Sequence, residues 1–504
     1  MGQILFLSIS KVCFACEEYF LSFFTKNTPS KQYNLAMFLT KSDFLLYLDA
    51  PIHLWASKHD HLTKKPPSDY DQHLMKQGYE VESLARQFLE QTIENDTHQL
   101  LWQQTYLDGH FQVRTDTMVF DTQAQKYDLY EIKSRSEFDD LNVYDLTFQT
   151  IVVEANLPNL RHQFAITLNK DYVRQGELDL TALFKIEQVD AQVDDKRVDV
   201  LVMRQDAWRV CQLESAESLE PCAKPKSCPC LQLCHPNLPD HSIYHIPRIK
   251  KATVLDLRAQ HVTSIHDVPE DLPLSAKQRR HVNAAQSGET TIDHERVSSE
   301  LASYQFPLSF FDYETYNAAI PPHDGYRPYQ QMVFQYSLHT IQVDGTVRHS
   351  EFVADDESDS GRMTVEHLQT QLGDTGTVLV WNKTFEMGRN SEMAERYPDF
   401  AAFLLSLNER IRDLADIFSK DMYIHPGFKG SWSIKNVLPV IVPTLSYKEL
   451  EIGKGDQAML AWWNMRHDKL SEVEKDTVKQ NLLKYCGLDT WAMVEMWKEL
   501  DKLK

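Results

Sequence analysis

The first part of the chain alternates between helix-like and strand-like patterns of apolar residues. From Ser42 to Lys58 the apolar positions recur at the three- and four-residue spacing of a helix face. That face consists of Phe44, Leu45, Leu48, Leu54 and Trp55. A second helix is predicted from Gly78 to Glu94, and strands are predicted around Phe111–Phe120 and Tyr127–Ser134.

A Pro-, His- and charge-containing stretch divides the chain into two patterned regions. Within this stretch, short helices are predicted at Leu255–Gln260 and Ser275–Asn283. At roughly 100–200 residues per domain, a chain of 504 residues suggests two or three domains. We therefore expect an α/β protein with an N-terminal domain at 37–235, a small helical connector at 236–305 and a C-terminal domain at 306–504.

The first 36 residues do not continue this pattern. Within them, Met1 to Phe24 is apolar but includes Lys11, Glu17 and Glu18, and no small-residue cleavage site is evident. We expect residues 1–36 to be an extension ahead of a natural start at Met37, so a redox motif is not inferred from its Cys-x-x-Cys. No run reaches the roughly 18 apolar residues of a membrane span. A cytoplasmic protein without a membrane partner is expected.

Acidic residues outnumber basic ones, and the formal net charge is −21. Proteins that coat duplex DNA by neutralising phosphates are normally basic, so a large non-specific DNA-binding surface is not expected. A local basic groove remains compatible with this total. The run Lys277, Arg279, Arg280 and His281 is either a phosphate-contacting patch or a solvated helix face.

Acids recur in a fixed order along the C-terminal region. Asp312 and Glu314 lie two apart in a predicted strand and so share a face. Tyr485 and Asp489 lie four apart in a predicted helix and also share a face. Between these pairs, Glu386 ends the segment WNKTFE. Converging carboxylates are costly unless divalent cations neutralise them, and acid-held metal pairs commonly serve phosphodiester hydrolysis.

This ordered set resembles the DEDD superfamily of 3′→5′ exonucleases, in its tyrosine subclass. The resemblance implies an RNase H-like (DnaQ-type) fold. It also implies that Asp312, Glu314, Glu386 and Asp489 hold two Mg²⁺ or Mn²⁺ ions and that Tyr485 orients the attacking water. Glu386 stands where the family usually has Asp.

Other polar residues of this region are candidate substrate contacts. Arg327, Gln335 and Lys435 are expected to face the substrate near the metals, since Arg and Lys suit phosphates. Asn382 is a fourth candidate. Asp413 either supports the metal ligands from behind or caps a helix.

The N-terminal region carries its own acid set. Glu131 and Lys133 lie two apart in a predicted strand, Asp116 lies in the preceding strand, and Glu82 lies in the second helix. Acids can hold a metal that lowers the pKa of a bound water, and a lysine can offset charge that develops on a phosphate. With Gln149 these residues resemble the PD-(D/E)XK nucleases of the RecB-like and Cas4-like branch. The resemblance implies a metal at the acids and catalytic roles for Lys133 and Gln149.

Four cysteines lie within 13 residues, which favours a metal site over disulfides. They are Cys222, Cys228, Cys230 and Cys234. In the Cas4-like branch a [4Fe–4S] cluster takes three cysteines here and a fourth just before a proline of the first helix, where this chain has Ala50. Cys230, His53 or His235 can replace that ligand. A zinc site and free thiols are the alternatives.

From about Met37 onward the chain resembles an uncharacterised bacterial family that joins a RecB-like nuclease domain to a DEDD exonuclease domain. We therefore expect a metal-dependent nuclease with a 3′→5′ exonuclease site and a second DNA nuclease site. DNA is the expected substrate and RNA the alternative, and a helicase or another repair or defence protein is the expected partner. The competing hypothesis is a single-site exonuclease whose N-terminal domain is a degenerate nucleic-acid-binding or scaffold module.

Overall fold

The structure is a computed structural model that describes residues 38–62, 66–93, 96–356 and 358–503. The expected N-terminal extension and its cysteine pair lie outside the described residues. The described chain is a mixed α/β protein, as the sequence predicts. Among the described helices, none combines the length and apolarity that a bilayer crossing requires.

Up to Cys211, the described residues of the N-terminal region form eight strands and six α-helices. The strands are β1 (Leu39–Thr40), β2 (His98–Trp102), β3 (Thr105–Asp108), β4 (Phe111–Arg114), β5 (Thr117–Asp121), β6 (Lys126–Ile132), β7 (Leu160–Leu168) and β8 (Phe184–Gln188). The helices are α1 (Lys41–Asp49), α2 (Pro51–Lys58), α3 (Asp69–Thr92), α4 (Asp140–Glu154), α5 (Leu180–Leu183) and α6 (Asp190–Cys211). One sheet has the strand order β2-β5-β6-β7-β8 with β6 and β7 parallel, and a small sheet has the order β1-β4-β3.

Two predicted elements of this region are each divided in the structure. The predicted helix from Ser42 to Lys58 is α1 and α2, separated by Ala50 in an extended conformation. Pro51 explains the break, because proline lacks an N–H and disfavours a helical conformation in the residue before it. The predicted strand from Phe111 to Phe120 is β4 and β5.

The connector forms a small folded unit. It follows α7 (Leu231–Cys234), the last helix of the N-terminal region, and contains α8 (Lys251–Ala259), α9 (Ala276–Ser287), β9 (Thr291–Ile292) and α10 (His294–Ala302). Ile243, Leu257 and Val282 are fully buried in its core. The basic run of α9 is not a free phosphate patch, because Arg280 (2.6 Å) and His281 (3.0 Å) both bind Asp421.

The C-terminal region is built on a five-stranded sheet. The strands of this region are β10 (Leu308–Tyr316), β11 (Met332–Ile341), β12 (Val347–Val353), β13 (Thr377–Val380), β14 (Ile411–Asp413) and β15 (Tyr423–Ile424), of which the first five form the sheet. Its helices are α11 (Ser360–Gln371), α12 (Lys383–Arg396), α13 (Ala401–Arg410), α14 (Asp416–Ser419), α15 (Ile434–Ile441), α16 (Gly455–His467) and α17 (Glu472–Asp501). The sheet order is β12-β11-β10-β13-β14, with β13 parallel to both β10 and β14, and β15 pairs with β9 of the connector.

Strand β10 is the central strand of this sheet and is covered on both faces. Phe310 and Phe311 point to opposite faces and are both fully buried. Helix α17 packs across β10 and β11, so that its inward face is held against the end of β10. A strand buried on both faces places the acids that follow Phe311 at a fixed position beside α17.

The N-terminal and C-terminal regions contact each other through polar groups. Gln77 of α3 accepts a hydrogen bond from the Ala319 N–H (2.8 Å). The Arg174 guanidinium donates to the carbonyl oxygens of Pro321 (2.9 Å) and Pro322 (3.0 Å). The segment after β10 therefore rests on the N-terminal region.

Candidate active sites and cysteine cluster

The structure brings the four C-terminal acids together from three elements. Asp312 and Glu314 lie on β10, Glu386 lies in the first turn of α12, and Asp489 lies on α17. A cavity of about 190 Å³ is lined by Asp312, Glu314, Asp489 and Tyr485. The negative charges of Asp489, Glu314 and Glu386 all act on Asp312. The arrangement concentrates four carboxyl groups around one small space.

The start of α12 is held in place by Asp413. Its carboxylate accepts hydrogen bonds from the backbone N–H groups of Asn382 (3.2 Å) and Lys383 (3.0 Å). Asn382 has a left-handed backbone (φ 106°), which asparagine tolerates better than most residues. Of the two roles considered for Asp413, these hydrogen bonds match helix capping. They hold the start of α12, the turn that carries Glu386.

Burial raises the pKa values of all four acids, and repulsion within the set adds to this effect at Asp312 and Glu314. Burial is the largest cause at each residue and raises the pKa of Glu386 to about 8 and that of Asp489 to about 6. The pKa values of Asp312 and Glu314 lie well above the ordinary range, because Asp489 and other nearby acids add to the effect of burial. Without a counter-charge, the site therefore favours partly protonated carboxyls.

The donor set fits hard divalent cations. The Glu386 Oε2 atom is buried and makes no hydrogen bond to the described residues. Ligand atoms of Asp312, Glu314 and Cys486 lie within 4.8 Å of one another. Carboxylate oxygens are the ligands that Mg²⁺ and Mn²⁺ prefer, and such ions would satisfy the orphaned oxygen and neutralise the acids.

Two tyrosines face these acids. Tyr485 is buried, and burial together with the charges of Asp489 and Glu314 holds its pKa well above the ordinary value. The Tyr485 phenol therefore keeps its proton. Tyr447 donates a hydrogen bond to Asp489 Oδ1 (2.6 Å). The sequence analysis missed Tyr447, because it lies in a loop with no periodic pattern.

The four candidate substrate contacts separate into two groups. Lys435 lines the acid cavity, and its positive charge acts on Glu314. Asn382 is exposed and lines a neighbouring groove. Gln335 is fully buried and donates to the Leu482 carbonyl (2.7 Å), which corrects the expectation that it faces substrate. Arg327 is exposed in the segment that rests on the N-terminal region and does not line the cavity.

A groove of about 660 Å³ adjoins the acid cavity, and Trp381 and Ile434 line both. The cationic residues that line the groove are Lys226, Arg248 and Lys429. Trp432 forms part of its wall, and the Arg248 guanidinium lies 5.7 Å from the centre of the Trp432 ring. The groove combines positive charge with aromatic surface in an otherwise acidic chain.

In the N-terminal region, Glu131 is fully buried and already neutralised. Its Oε1 atom accepts from Lys133 (2.7 Å) and Lys41 (3.0 Å), and its Oε2 atom accepts from Gln149 (2.9 Å). Burial favours the neutral acid, but the two lysine charges outweigh it and hold the pKa of Glu131 below its ordinary value. Lys133 also binds Asp145 (2.8 Å). Lys41 and Asp145 were not among the sequence candidates.

Glu82 and Asp116 line a separate cavity of about 410 Å³ together with Lys41 and Arg114. Glu82 is bound by Arg86 (2.6 Å) and Gln103 (2.7 Å). Burial and the Glu131 charge raise the pKa of Asp116 to about 7. Within the described ranges, these acids do not join a group of three ligand atoms inside 4.8 Å, whereas Asp312 and Glu314 of the C-terminal set form one with Cys486.

The cysteine cluster lies where α2 meets the end of the N-terminal region. Cys230 and Cys234 have their sulfurs 3.6 Å apart, and the Cys228 sulfur is 3.4 Å from His53 Nε2. Cys222 lies 3.5 Å from His235 Nε2. Both histidines considered as replacement ligands are thus next to cysteines.

Comparisons with known proteins match parts of the chain to a domain of unknown function and to uncharacterised proteins. Residues 309–433 match a family model described as a domain of unknown function, DUF2779. The chain is 29% identical over 219 residues to uncharacterized protein UU173 of Ureaplasma parvum, covering 38% of this chain and 31% of that protein. It is 25% identical over 208 residues to uncharacterized protein MG366 of Mycoplasma genitalium, covering 37% of this chain and 31% of that protein. No solved structure matches the chain. The chain thus spans about a third of each curated relative's length.

Proposed function

We propose that the C-terminal region is a metal-dependent 3′→5′ exonuclease of the RNase H-like DEDD type. The observation that carries this proposal is that Asp312, Glu314 and Asp489 line one small cavity, while the charge of Glu386, which has an orphaned buried oxygen, acts on Asp312. A protein gains no stability from burying like charges together, so such a cluster is typical of a functional site. Mg²⁺ or Mn²⁺ is the cofactor that the donor set favours.

Bound divalent cations would supply charge neutralisation and an activated water near neutral pH. The chain's own residues position the reactants. Tyr485 keeps its phenolic proton, so it orients a water by a hydrogen bond and does not act as a base. Tyr447 fixes the rotamer of Asp489 through its hydrogen bond. Lys435 offsets negative charge on the scissile phosphate.

The groove beside the acid cavity supports a single-stranded substrate. Proteins that hold single strands combine basic grooves with aromatic side chains on which bases stack. Trp432 and the cations Arg248 and Lys226 provide both features, and Trp381 links the groove to the acid cavity. We infer that a strand lies along the groove with its 3′ end at Asp312. Arg248 and the segment around it belong to the connector, which gives that unit a role in substrate binding.

For the N-terminal region the second candidate function is DNA hydrolysis at a PD-(D/E)XK-like site. The observation that favours it is the cavity shared by Glu82 and Asp116 beside the Glu131–Lys133 pair. The competing proposal is a nucleic-acid-binding or scaffold module without catalysis. It is supported by Lys41, which lies 3.0 Å from Glu131 and supplies charge that a metal would otherwise supply. A helicase or repair partner stays a prediction from resemblance.

The test is a degradation assay with Mg²⁺ or Mn²⁺ on 3′-labelled and 5′-labelled single-stranded DNA and RNA. Wild type is compared with Asp489→Asn and with Asp476→Asn, a matched change at an exposed position of the same helix. We expect stepwise loss from the 3′ end in wild type and Asp476→Asn and none in Asp489→Asn. Unchanged trimming by Asp489→Asn would contradict the site, and the preferred nucleic acid names the substrate.

A further inference from the structure

The cysteine cluster joins two distant parts of the chain. His53 lies on α2, three residues after the break at Ala50, and the cysteines lie in the irregular segment that ends in α7. His53 and Cys228 are 175 residues apart in the sequence. Cys230, Cys234 and the His53 side chain are all buried in the core of the N-terminal region. Four soft ligands therefore meet at one buried point.

We propose that His53, Cys228, Cys230 and Cys234 bind a single zinc ion. One ligand atom from each of the four residues lies within 4.8 Å of all the others. Zn–S bonds of about 2.3 Å and Zn–N bonds of about 2.0–2.1 Å in a tetrahedron place neighbouring ligand atoms about 3.5–3.8 Å apart. The Cys228–His53 pair (3.4 Å) and the Cys230–Cys234 pair (3.6 Å) have this spacing.

The second nitrogen of His53 provides an independent indication. His53 Nδ1 lies 2.7 Å from the carboxylate of Asp49, the last residue of α1. Histidines that bind metals almost always hydrogen-bond their other ring nitrogen to a carboxylate or carbonyl, which fixes the tautomer and the ring orientation. With Nδ1 donating to Asp49, Nε2 presents its lone pair to the cysteines.

The same geometry disagrees with an iron–sulfur cluster. In a [4Fe–4S] cluster each cysteine binds a different iron at a separate corner, so the protein sulfurs stand apart around the cluster. Here the ligand atoms surround a space that suits one ion. The position that would supply the distant cysteine is Ala50, and the donor that reaches the site from this helix is His53.

A zinc ion at this point would cross-link the beginning and the end of the N-terminal region. It would link α2 to the segment that leads into the connector, and a metal that binds only the folded chain adds its binding free energy to stability. Cys222 lies 3.5 Å from His235 and also interacts with His53 and Cys234, so it borders the proposed set. The matched controls are therefore His235 and Cys211, a buried cysteine at the end of α6 that lies outside the four-ligand group.

The test uses the full chain, purified without oxygen, with metal content measured by mass spectrometry. We expect about one zinc per chain and negligible iron and labile sulfide. His53→Ala and Cys230→Ser are expected to lose most of the zinc, whereas His235→Ala and Cys211→Ser are expected to retain it. Substitution of wild type with Co²⁺ is expected to give the visible bands of a tetrahedral thiolate site, altered in His53→Cys.

Stoichiometric iron with labile sulfide, or wild type free of bound metal, would overturn the proposal. Zinc that is retained in both His53→Ala and Cys230→Ser would also overturn it. Should the ligand variants fail to fold, chelation of the wild type decides the matter. We expect a chelator to lower its Tm by several degrees, and an unchanged Tm would contradict a structural zinc. None of these readouts depends on nuclease activity.

Discussion

Tyr447 donates a 2.6 Å hydrogen bond to Asp489, 42 residues further along the chain. Burial raises the pKa of Asp489 to about 6, and the hydrogen bond from Tyr447 acts in the opposite direction by stabilising the carboxylate. Tyr447 therefore keeps Asp489 ionised at neutral pH, which is the form that binds a cation.

We expect Tyr447→Phe to slow 3′ trimming by roughly 10- to 100-fold at pH 7, since a hydrogen bond to a charged group is worth about 1.5–3 kcal/mol. The pKa of Asp489 should rise, so the acid limb of the pH–rate profile should move to higher pH and the loss should shrink as pH rises. Rates measured from pH 5.5 to 9 check this.

Tyr336→Phe is the matched control. The Tyr336 phenol is hydrogen-bonded to His367 (2.7 Å) on the far side of the sheet and does not line the acid cavity. It should leave the pH profile unchanged. A profile that is also unchanged in Tyr447→Phe would refute the role assigned to Tyr447.

The clustered acids are expected to weaken the metal-free fold. Removing one charge should relieve repulsion, so Asp312→Asn should raise the metal-free Tm at pH 8 by about 2–4 °C for each kcal/mol gained, while abolishing trimming. Asp476→Asn, at an exposed position, should change neither. Thermal unfolding in a chelating buffer measures this, and a lower Tm for Asp312→Asn would contradict the argument.

The pH dependence of the metal-free protein follows from the same pKa values. A carboxyl whose folded pKa is raised above its unfolded value stabilises the fold at low pH, and this contribution is lost as pH rises through the folded pKa. With Asp489 near 6 and Glu386 near 8, stability should fall between about pH 4 and pH 8. Mg²⁺ should restore more stability at pH 8 than at pH 5.5. Equal stabilisation at both pH values would argue against metal binding by these acids.

The sequence predicts local geometry better than it predicts long-range partners. Asp312 and Glu314 share a strand face, and Tyr485 and Asp489 share a helix face, because those relations depend on spacing alone. Tyr447 reaches the site from a loop, and the sequence around it has no pattern that would identify it as a site residue.

Contacts across long separations explain the other differences. Lys41 lies 90 residues from Glu131, so the neutralisation of that acid is visible only in the folded chain. Gln335 lies in a polar sequence segment, yet its side chain is fully buried in the folded chain and donates a hydrogen bond to the Leu482 carbonyl of α17. The residue type suggested that Gln335 contacts substrate, whereas tertiary packing gives it a structural role between β11 and α17.

The groove should contribute to substrate affinity more than to the chemical step. Trp432→Leu removes a stacking surface worth about 1–3 kcal/mol per base, so KM for a single strand should rise roughly 5- to 100-fold with a smaller change in kcat. Trp208→Leu, at a half-buried tryptophan of the N-terminal region stacked on His110, is the control. An unchanged KM in Trp432→Leu would remove the groove from the substrate path.

Charge in the groove is tested separately through salt. Lys226 and Arg248 are exposed and line the groove. Each phosphate contact contributes about −0.7 to the slope of log K against log salt for single strands. The double variant Lys226→Gln, Arg248→Gln should therefore reduce the slope by about 1.4. A slope equal to that of wild type would show that these cations do not contact phosphates.

Lys133 should be more important for stability than for trimming. It lies between Glu131 (2.7 Å) and Asp145 (2.8 Å), and removal of one member of a buried ion pair costs roughly 3–5 kcal/mol. Lys133→Ala should lower the urea midpoint strongly, whereas Lys126→Ala, at an exposed position of the same strand, should not. A midpoint unchanged in Lys133→Ala would contradict the buried network.

Asp116→Asn separates catalysis from stability at this second site. The pKa of Asp116 is raised to about 7, so its neutral amide analogue should not destabilise the fold. If the N-terminal region cuts DNA, Asp116→Asn should abolish that activity and leave 3′ trimming intact, and Asp489→Asn should do the reverse. Both activities lost in Asp116→Asn would refute two independent sites. No N-terminal cutting by wild type would favour the binding or scaffold module, in which Lys41 permanently takes the place of a metal.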